Sequence, residues 1–354
     1  MHGIFVSIRA AVIFSLCLGM ALATEYRPSK ADIIRVSGPA LRGVYVIQNT
    51  MEVVHYSTDE EGRQRTRMRR QDIARVEYDV SDVRTQSFFT AQGQRERGNW
   101  EQSAAAYIQV VEHGDTEFVV VESLFGAAHC FAQMEQWDQA IATLDQIRSR
   151  FPRHERVVES LDVKGHTLIR ARRLEDARQA FSELLSRADE FAQQHASFGQ
   201  EARMKGHYGH GRLAQNNQDW GSAVQSFAQA QEAFAGDVAF NDELYAMISI
   251  ALGDAQRQAG QSDQALETYK NLRFKPVPGG LRSQALIQAA ELMLSSGAHL
   301  EAFDHAIMAA IIRGSTVRTQ ARRLANRIFS ESIEDATDMS LDDKQAYRDY
   351  INRL

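Results

Sequence analysis

The three tryptophans of this chain fall in a single register of a repeating pattern, and that pattern limits the fold more than any other feature. A small residue recurs at Ser103, Ala140, Ala177, Ala223, Ala265 and Ala302, at intervals of 37, 37, 46, 42 and 37 residues. Three positions before it stand Trp100, Trp137, Leu174, Trp220, Ser262 and His299. Four positions after it stand Tyr107, Leu144, Phe181, Phe227, Tyr269 and Ala306, and twelve before it stand Ala91, Ala128, Gly165, Gly211, Gly253 and Ala290. Self-similarity at this period means that each unit is one supersecondary element. Such a unit cannot bury its apolar face alone and must stack on its neighbours.

The surrounding runs are long, amphipathic and rich in Ala and Gln, which predicts helices. The segment SLFGAAHCFAQMEQWDQAIATLDQIRSRFP, ending at Pro152, resembles the tetratricopeptide repeat family, and Gly253, Gly260, Ala265 and Tyr269 mark another copy. The physical logic is close packing: small residues let the two helices of a repeat approach, and the ring fills the space beside the contact. The resemblance runs over residues 82–312. It implies a mainly α fold, a tetratricopeptide-like α-helical solenoid of about five to six helix pairs over 81–314. The 46-residue interval predicts extended helices around SELLSRADEFAQQHASFGQ, and residues 315–354 read as two capping helices.

The resemblance also implies where a ligand sits. In that family the inner face of the first helix of each pair carries the contacts. By register this face holds Phe88 and Gln92, then Glu122, Phe125 and His129, then Asp162, His166 and Arg170, then Tyr208 and Arg212, then Asp254 and Arg257. The mixture of polar and aromatic groups suits an extended peptide or another protein's helix. It is also what a merely solvated helix face carries. Phe88 and Gln92 stand where the chaperone-binding subclass has Lys and Asn, which disfavours that subclass.

Ahead of the repeats the texture is different. Residues 1–23 carry one charge, Arg9, then an apolar run from Ala10 to Ala23 ending in Ala21-Leu22-Ala23. The run is shorter than the ~20 residues a membrane-spanning helix needs, and it reads as a secretory signal peptide cleaved after Ala23. Leu16 immediately before Cys17 argues against a lipidated leader, and Cys130 is then the only cysteine of the mature chain, so no internal disulfide forms. No later stretch is long and apolar enough to span a membrane. Residues 24–80 show short runs rich in β-branched and aromatic residues between turn signals, which predicts a small SH3-like or Sm-like β module. Arg63, Arg65, Arg67 and Arg69 alternate, so in a strand they share one face. That stripe reads as an anion-binding surface, as a solvated or protected sheet edge, or as a face docked on the repeats.

Composition narrows the function classes. Hydrophobic residues at 44% exclude a disordered chain, and the formal net charge of −6 argues against a life on nucleic acid. His207 and His210 lie one helical turn apart, so a metal-dependent envelope enzyme is the alternative to consider. No third ligand is fixed by the sequence, and it holds no Gly-rich phosphate loop, nucleophile elbow or metalloprotease helix. The sequence therefore predicts a non-enzymatic scaffold with no cofactor, periplasmic or secreted, that binds another protein or peptide.

Overall fold

The computed structural model describes residues 26–79, 86–114, 116–234, 242–313, 315, 317–334, 336–337 and 339–352. The leader expected over 1–23, and the boundary expected at 80–81, lie outside the described residues.

Five short strands come first: β1 (Ser29–Arg35), β2 (Leu41–Asn49), β3 (Val53–Ser57), β4 (Thr66–Arg69) and β5 (Ile73–Tyr78). They pair antiparallel in the order β4-β3-β2-β1-β5. Alternation sets the faces: Ala31, Ile33, Val44, Val46, Val54 and Ile73 form the module's own core. The Asp59 carboxylate accepts the N–H groups of Arg63 and Gln64 and shapes the turn before β4, where Gly62 takes a φ of +68°. Arg63 and Arg65 therefore lie in the approach to β4, and only Arg67 and Arg69 alternate within a strand. A one-turn 3₁₀ segment, Arg70–Asp72, separates β4 from β5.

Helices follow in six antiparallel pairs: α1 (Gln86–Glu96) with α2 (Trp100–His113), α3 (Glu117–Gln133) with α4 (Trp137–Arg150), and α5 (Val157–Arg170) with α6 (Leu174–Ser186). After a short α7 (Ala188–Gln194) come α8 (Ala196–Asn216) with α9 (Trp220–Glu232), α10 (Asp242–Gln258) with α11 (Ser262–Asn271), and α12 (Gly279–Ser295) with α13 (His299–Ile311). Two helices, α14 (Arg318–Ile328) and α15 (Leu341–Asn352), close the stack. Ser340 caps α15, its hydroxyl accepting the Asp343 N–H at 3.1 Å. The long third interval is filled partly by the expected extended helix, since α8 at 21 residues is longer than the other helices described, and partly by an extra short one. The chain breaks at Arg187 and at His195, whose extended backbone and ring nitrogen start α8, and the residues between the two breaks form α7.

The first helix of each pair is called A and the second B. The packing follows the size pattern. Tyr107, Phe181, Phe227 and Tyr269 on the B helices are fully buried. A Cβ added at Gly165 would lie 2.5 Å from the Phe181 ring, and one at Gly253 would lie 2.5 Å from the Tyr269 ring. Where the A helix carries Ala128, the partner is the smaller Leu144. Each A–B turn holds one residue at positive φ, always five positions before the small B-helix residue: Gly98, Glu135, Arg172, Gln218, Gly260 and Gly297.

The tryptophans begin helices B and are half-buried rather than sealed between helices. Trp100 meets the edge of His129 on the next A helix at 5.7 Å, and Trp137 lies under Arg170 at 5.2 Å.

The β module is seated on the solenoid. The β2–β3 turn pairs with the loop before α5: Thr50 bridges His154, and the Met51 N–H donates to the Arg153 carbonyl at 2.9 Å. Met51 is 0% exposed and shares a core with Ile141, Val157, Leu161 and Phe198. Arg70 is buried, bonding Asn49 at 3.2 Å and Glu155 at 2.7 Å, with Phe198 beneath it at 5.5 Å. Tyr78 stacks on Phe118 of α3 at 4.1 Å.

Candidate functional site

Two register rows define the inner face of the A helices, and they behave differently. The row three residues before the small A-helix residue holds Phe88, Phe125, Asp162, Tyr208, Ile250 and Ile287. It points into the seam between successive A helices. Phe88, only 3% exposed, packs in one cluster with Val119, Ala127 and Cys130 of α3. Tyr208, 8% exposed, packs with Ala251 and Leu252 of α10. Neither side chain is presented to a ligand, which corrects the sequence expectation for both.

Where this row is polar, it is neutralised within the protein. Asp162 lies 3.3 Å from His166 and 3.7 Å from Lys205. Burial works to raise its carboxyl, but Lys205 and His166 outweigh it and hold it below the ordinary range. Lys205 also pairs with Glu201 at 2.9 Å, and despite burial its ammonium stays above its ordinary value. Phe125 is half-buried under the Arg156 guanidinium at 4.1 Å. Arg156 bridges Glu122 and Glu159, the latter at 2.7 Å. Arg156 escaped the sequence reading because it precedes α5 and so lies outside the helical register.

The row one residue after the small position is the open one: Gln92 and His166 are half-buried, while His129 and Arg212 are exposed. Arg170 is exposed near the same end of α5. Further along, Asp254 accepts the Tyr269 hydroxyl at 2.6 Å, and Arg257 lies 3.9 Å from Glu291.

At the N-terminal ends of α3 and α5 the β module covers a buried polar cluster. Asn49 donates to Glu155 at 2.7 Å and to the Tyr78 hydroxyl at 3.1 Å. His154 lies 3.7 Å from Glu117. Burial, opposed by the Asn49 backbone N–H and assisted by Glu155, pushes the Glu117 carboxyl up to about 7. Burial and then Arg70 push His154 down to about 4. A cavity of about 280 Å³ lies beside this cluster, lined by Val76, Tyr78, Phe118, Glu122 and Arg156 among others.

The arginines Arg63, Arg65, Arg67 and Arg69 are all exposed. Arg63 pairs with Glu61 at 3.1 Å and Arg69 with Asp72 at 3.3 Å, while the adjacent Arg70 turns inward to the junction. His207 and His210 are half-buried, and His210 shares a hydrogen bond with Ser182 at 3.3 Å. Among the described residues no three His, Cys, Asp or Glu side chains converge as a metal site would require. None of the described helices is long and apolar enough to cross a membrane.

The best-formed pair, α3 with α4, has its small residues, its positive-φ turn at Glu135 and its closing Pro152 all in register. Residues 122–154 match the tetratricopeptide repeat family. The match spans most of α3 and all of α4, and the other five pairs repeat this tetratricopeptide geometry. Solved structures similar to this chain include a tetratricopeptide repeat protein from Parabacteroides merdae, at 13% identity and TM-score 0.43, covering 68% of this chain and 82% of that one. Another is pilF of Pseudomonas aeruginosa, at 14% identity and TM-score 0.41, covering 67% and 95%. A third is BtubC from P. vanneervenii, at 13% identity and TM-score 0.45, covering 70% and 96%. No curated protein matches the sequence.

Proposed function

We propose that the protein is an exported, non-enzymatic interaction scaffold of the bacterial cell envelope, and that the concave face of its tetratricopeptide-like stack holds a peptide or another protein. The observation that carries this reading is the open row itself. Consecutive A helices present Gln92, His129, His166 and Arg212 along one continuous surface. A surface of that kind is built for extended contact, and its chemistry changes from repeat to repeat, which is how a solenoid selects a partner. The export part of the reading rests on the sequence of the leader, Arg9 followed by the apolar run to Ala23. It puts the mature N-terminus at Thr24.

A photo-crosslinking phenylalanine analogue placed at Phe125, on the inner face, tests the binding role in cells. A control analogue goes at the exposed Arg178 of α6, on a B helix. A discrete covalent adduct from position 125 and none from position 178 is expected. Adducts from position 178 alone would put the partner on the outer face and overturn the reading. Mass spectrometry of the native protein checks the compartment, since a retained residue 1–23 segment contradicts export.

A further inference from the structure

The inner face is electrostatically divided along the axis of its A helices. Towards their N-terminal ends lie Glu122, Glu159, Asp162 and Glu201, each taken up by Arg156 or Lys205. Towards the C-terminal ends of α1 and α5 stand two arginines, with Glu96 exposed at the end of α1. Burial holds the His129 imidazole of α3 below its ordinary value, and Arg95, near the end of α1, and Arg170, the last residue of α5, lower it further. Among the described residues neither arginine forms an ion pair with a carboxylate. The Arg170 guanidinium instead donates to the Ala132 carbonyl at 3.3 Å and lies over the Trp137 ring.

These groups are also held in place. Trp100 and Trp137 each begin the B helix of their own repeat and lean on the A helix of the next, so the rings fix His129 and Arg170 at successive steps of the stack. A guanidinium stacked on an aromatic ring has lost much of its rotamer freedom before any ligand arrives, and its remaining N–H donors keep a fixed direction. Arg70 is already satisfied by Glu155 and Arg156 by Glu122 and Glu159, while Arg212 of the fourth pair is exposed on the open row. What sets the first three repeats apart is that His129 and Arg170 lie against half-buried indole rings.

We infer that this Arg95–His129–Arg170 patch, with Trp100 and Trp137 beneath it, is a docking site for an acidic, extended peptide segment of the partner. The inference rests on the proposed reading of the concave face and adds the partner's chemistry to it. Carboxylates of such a segment would accept from the two guanidinium groups, and its aliphatic stems would lie on the indole faces. Charge-assisted hydrogen bonds of this type are the strong ones, and their directionality selects carboxylate over a neutral amide.

The test uses the mature chain and three fluorescein-labelled octapeptides, oligo-Glu, oligo-Gln and oligo-Lys, titrated by anisotropy at low salt. Oligo-Glu is expected to bind and the other two are not. Arg95→Gln with Arg170→Gln should weaken oligo-Glu by about tenfold or more, the loss expected for charge-assisted bonds. Arg63→Gln with Arg67→Gln, which removes equal charge from the β module, should change it less than about twofold. Because Arg170 also supports Trp137, the single variant Arg95→Gln is measured alongside, and it must show part of the loss with an unchanged melting temperature. Equal loss in the two double variants, preference for oligo-Lys, or no binding of oligo-Glu would each overturn the inference. Any of these results combined with an intact adduct at position 125 removes only the acidic specificity, whereas loss of that adduct as well removes the concave-face reading.

Discussion

The pairing of a glycine on helix A with a ring on helix B can be tested by exchanging sizes. Gly165 faces Phe181 in the third repeat, while the second repeat solves the same contact with Ala128 and Leu144. Gly165→Ala gains about 1 kcal/mol of helix propensity. It also drives a methyl to 2.5 Å from two ring carbons, inside any real contact distance. Overpacking of this kind costs about 1–3 kcal/mol, so the single variant should lose about 0–2 kcal/mol. Phe181→Leu opens space beside both Gly165 and Gly209 of α8, which approach the same ring. That change should cost about 1–2 kcal/mol. In the double variant the new methyl occupies part of the space vacated by the ring, reproducing the second repeat. Its loss should therefore be smaller than the sum of the singles by about 1 kcal/mol or more. Urea denaturation followed by circular dichroism gives the four midpoints and slopes. Additivity within about 0.3–0.5 kcal/mol would mean that the methyl and the ring never meet, and the register would be wrong.

Two further outcomes follow from geometry and charge. Glu135, Arg172 and Gln218 hold φ values of 58–59° at turns where the other repeats use glycine. Replacing each by Gly should stabilise the protein by up to about 1 kcal/mol, whereas Gly260→Ala should cost about 1–2 kcal/mol; thermal melts giving the opposite order would contradict this. Glu117, raised from the ordinary 4.5 to about 7, binds more proton in the folded state, so its burial makes the protein progressively less stable as pH climbs through that interval. His154, lowered from 6.5 to about 4, works the other way, its contribution being lost as pH falls through that interval. Glu117→Gln removes only the first effect, so it should gain roughly 2–3 kcal/mol at pH 8 and almost nothing at pH 4. An equal gain at both pH values would show that Glu117 is not the titrating group.

The repeat register could be read from the sequence because it is a pattern of sizes, and size is what helix packing selects. Gly165, Gly211 and Gly253 stand against Phe181, Phe227 and Tyr269 as the spacing implies. The turns were half legible: Gly98, Gly260 and Gly297 advertise the left-handed position, but Glu135, Arg172 and Gln218 adopt it under tertiary constraint without any local signal. The inner face was less legible, since period alone cannot tell the open row from the seam. Phe88 and Tyr208 sit in the seam, and their aromatic character reflected packing rather than recognition. Nothing local marks the junction. Met51 is an ordinary turn residue and Arg70 one arginine of five, and their partners Phe198 and Glu155 lie far along the chain.

That junction gives the molecule an order of assembly. A plain stack of repeats can begin folding at any point and grow one unit at a time. Here the sheet of residues 29–78 can pair its own strands as soon as they emerge, but the seat for Met51 and the ring under Arg70 are completed only by Phe198 on α8. Until then Met51 at the β2–β3 turn and the Arg70 guanidinium beside that turn face water. Once α8 arrives, the turn ties the second, third and fourth pairs into one block that opens together, while α10–α15 beyond it are free to fray from their own end.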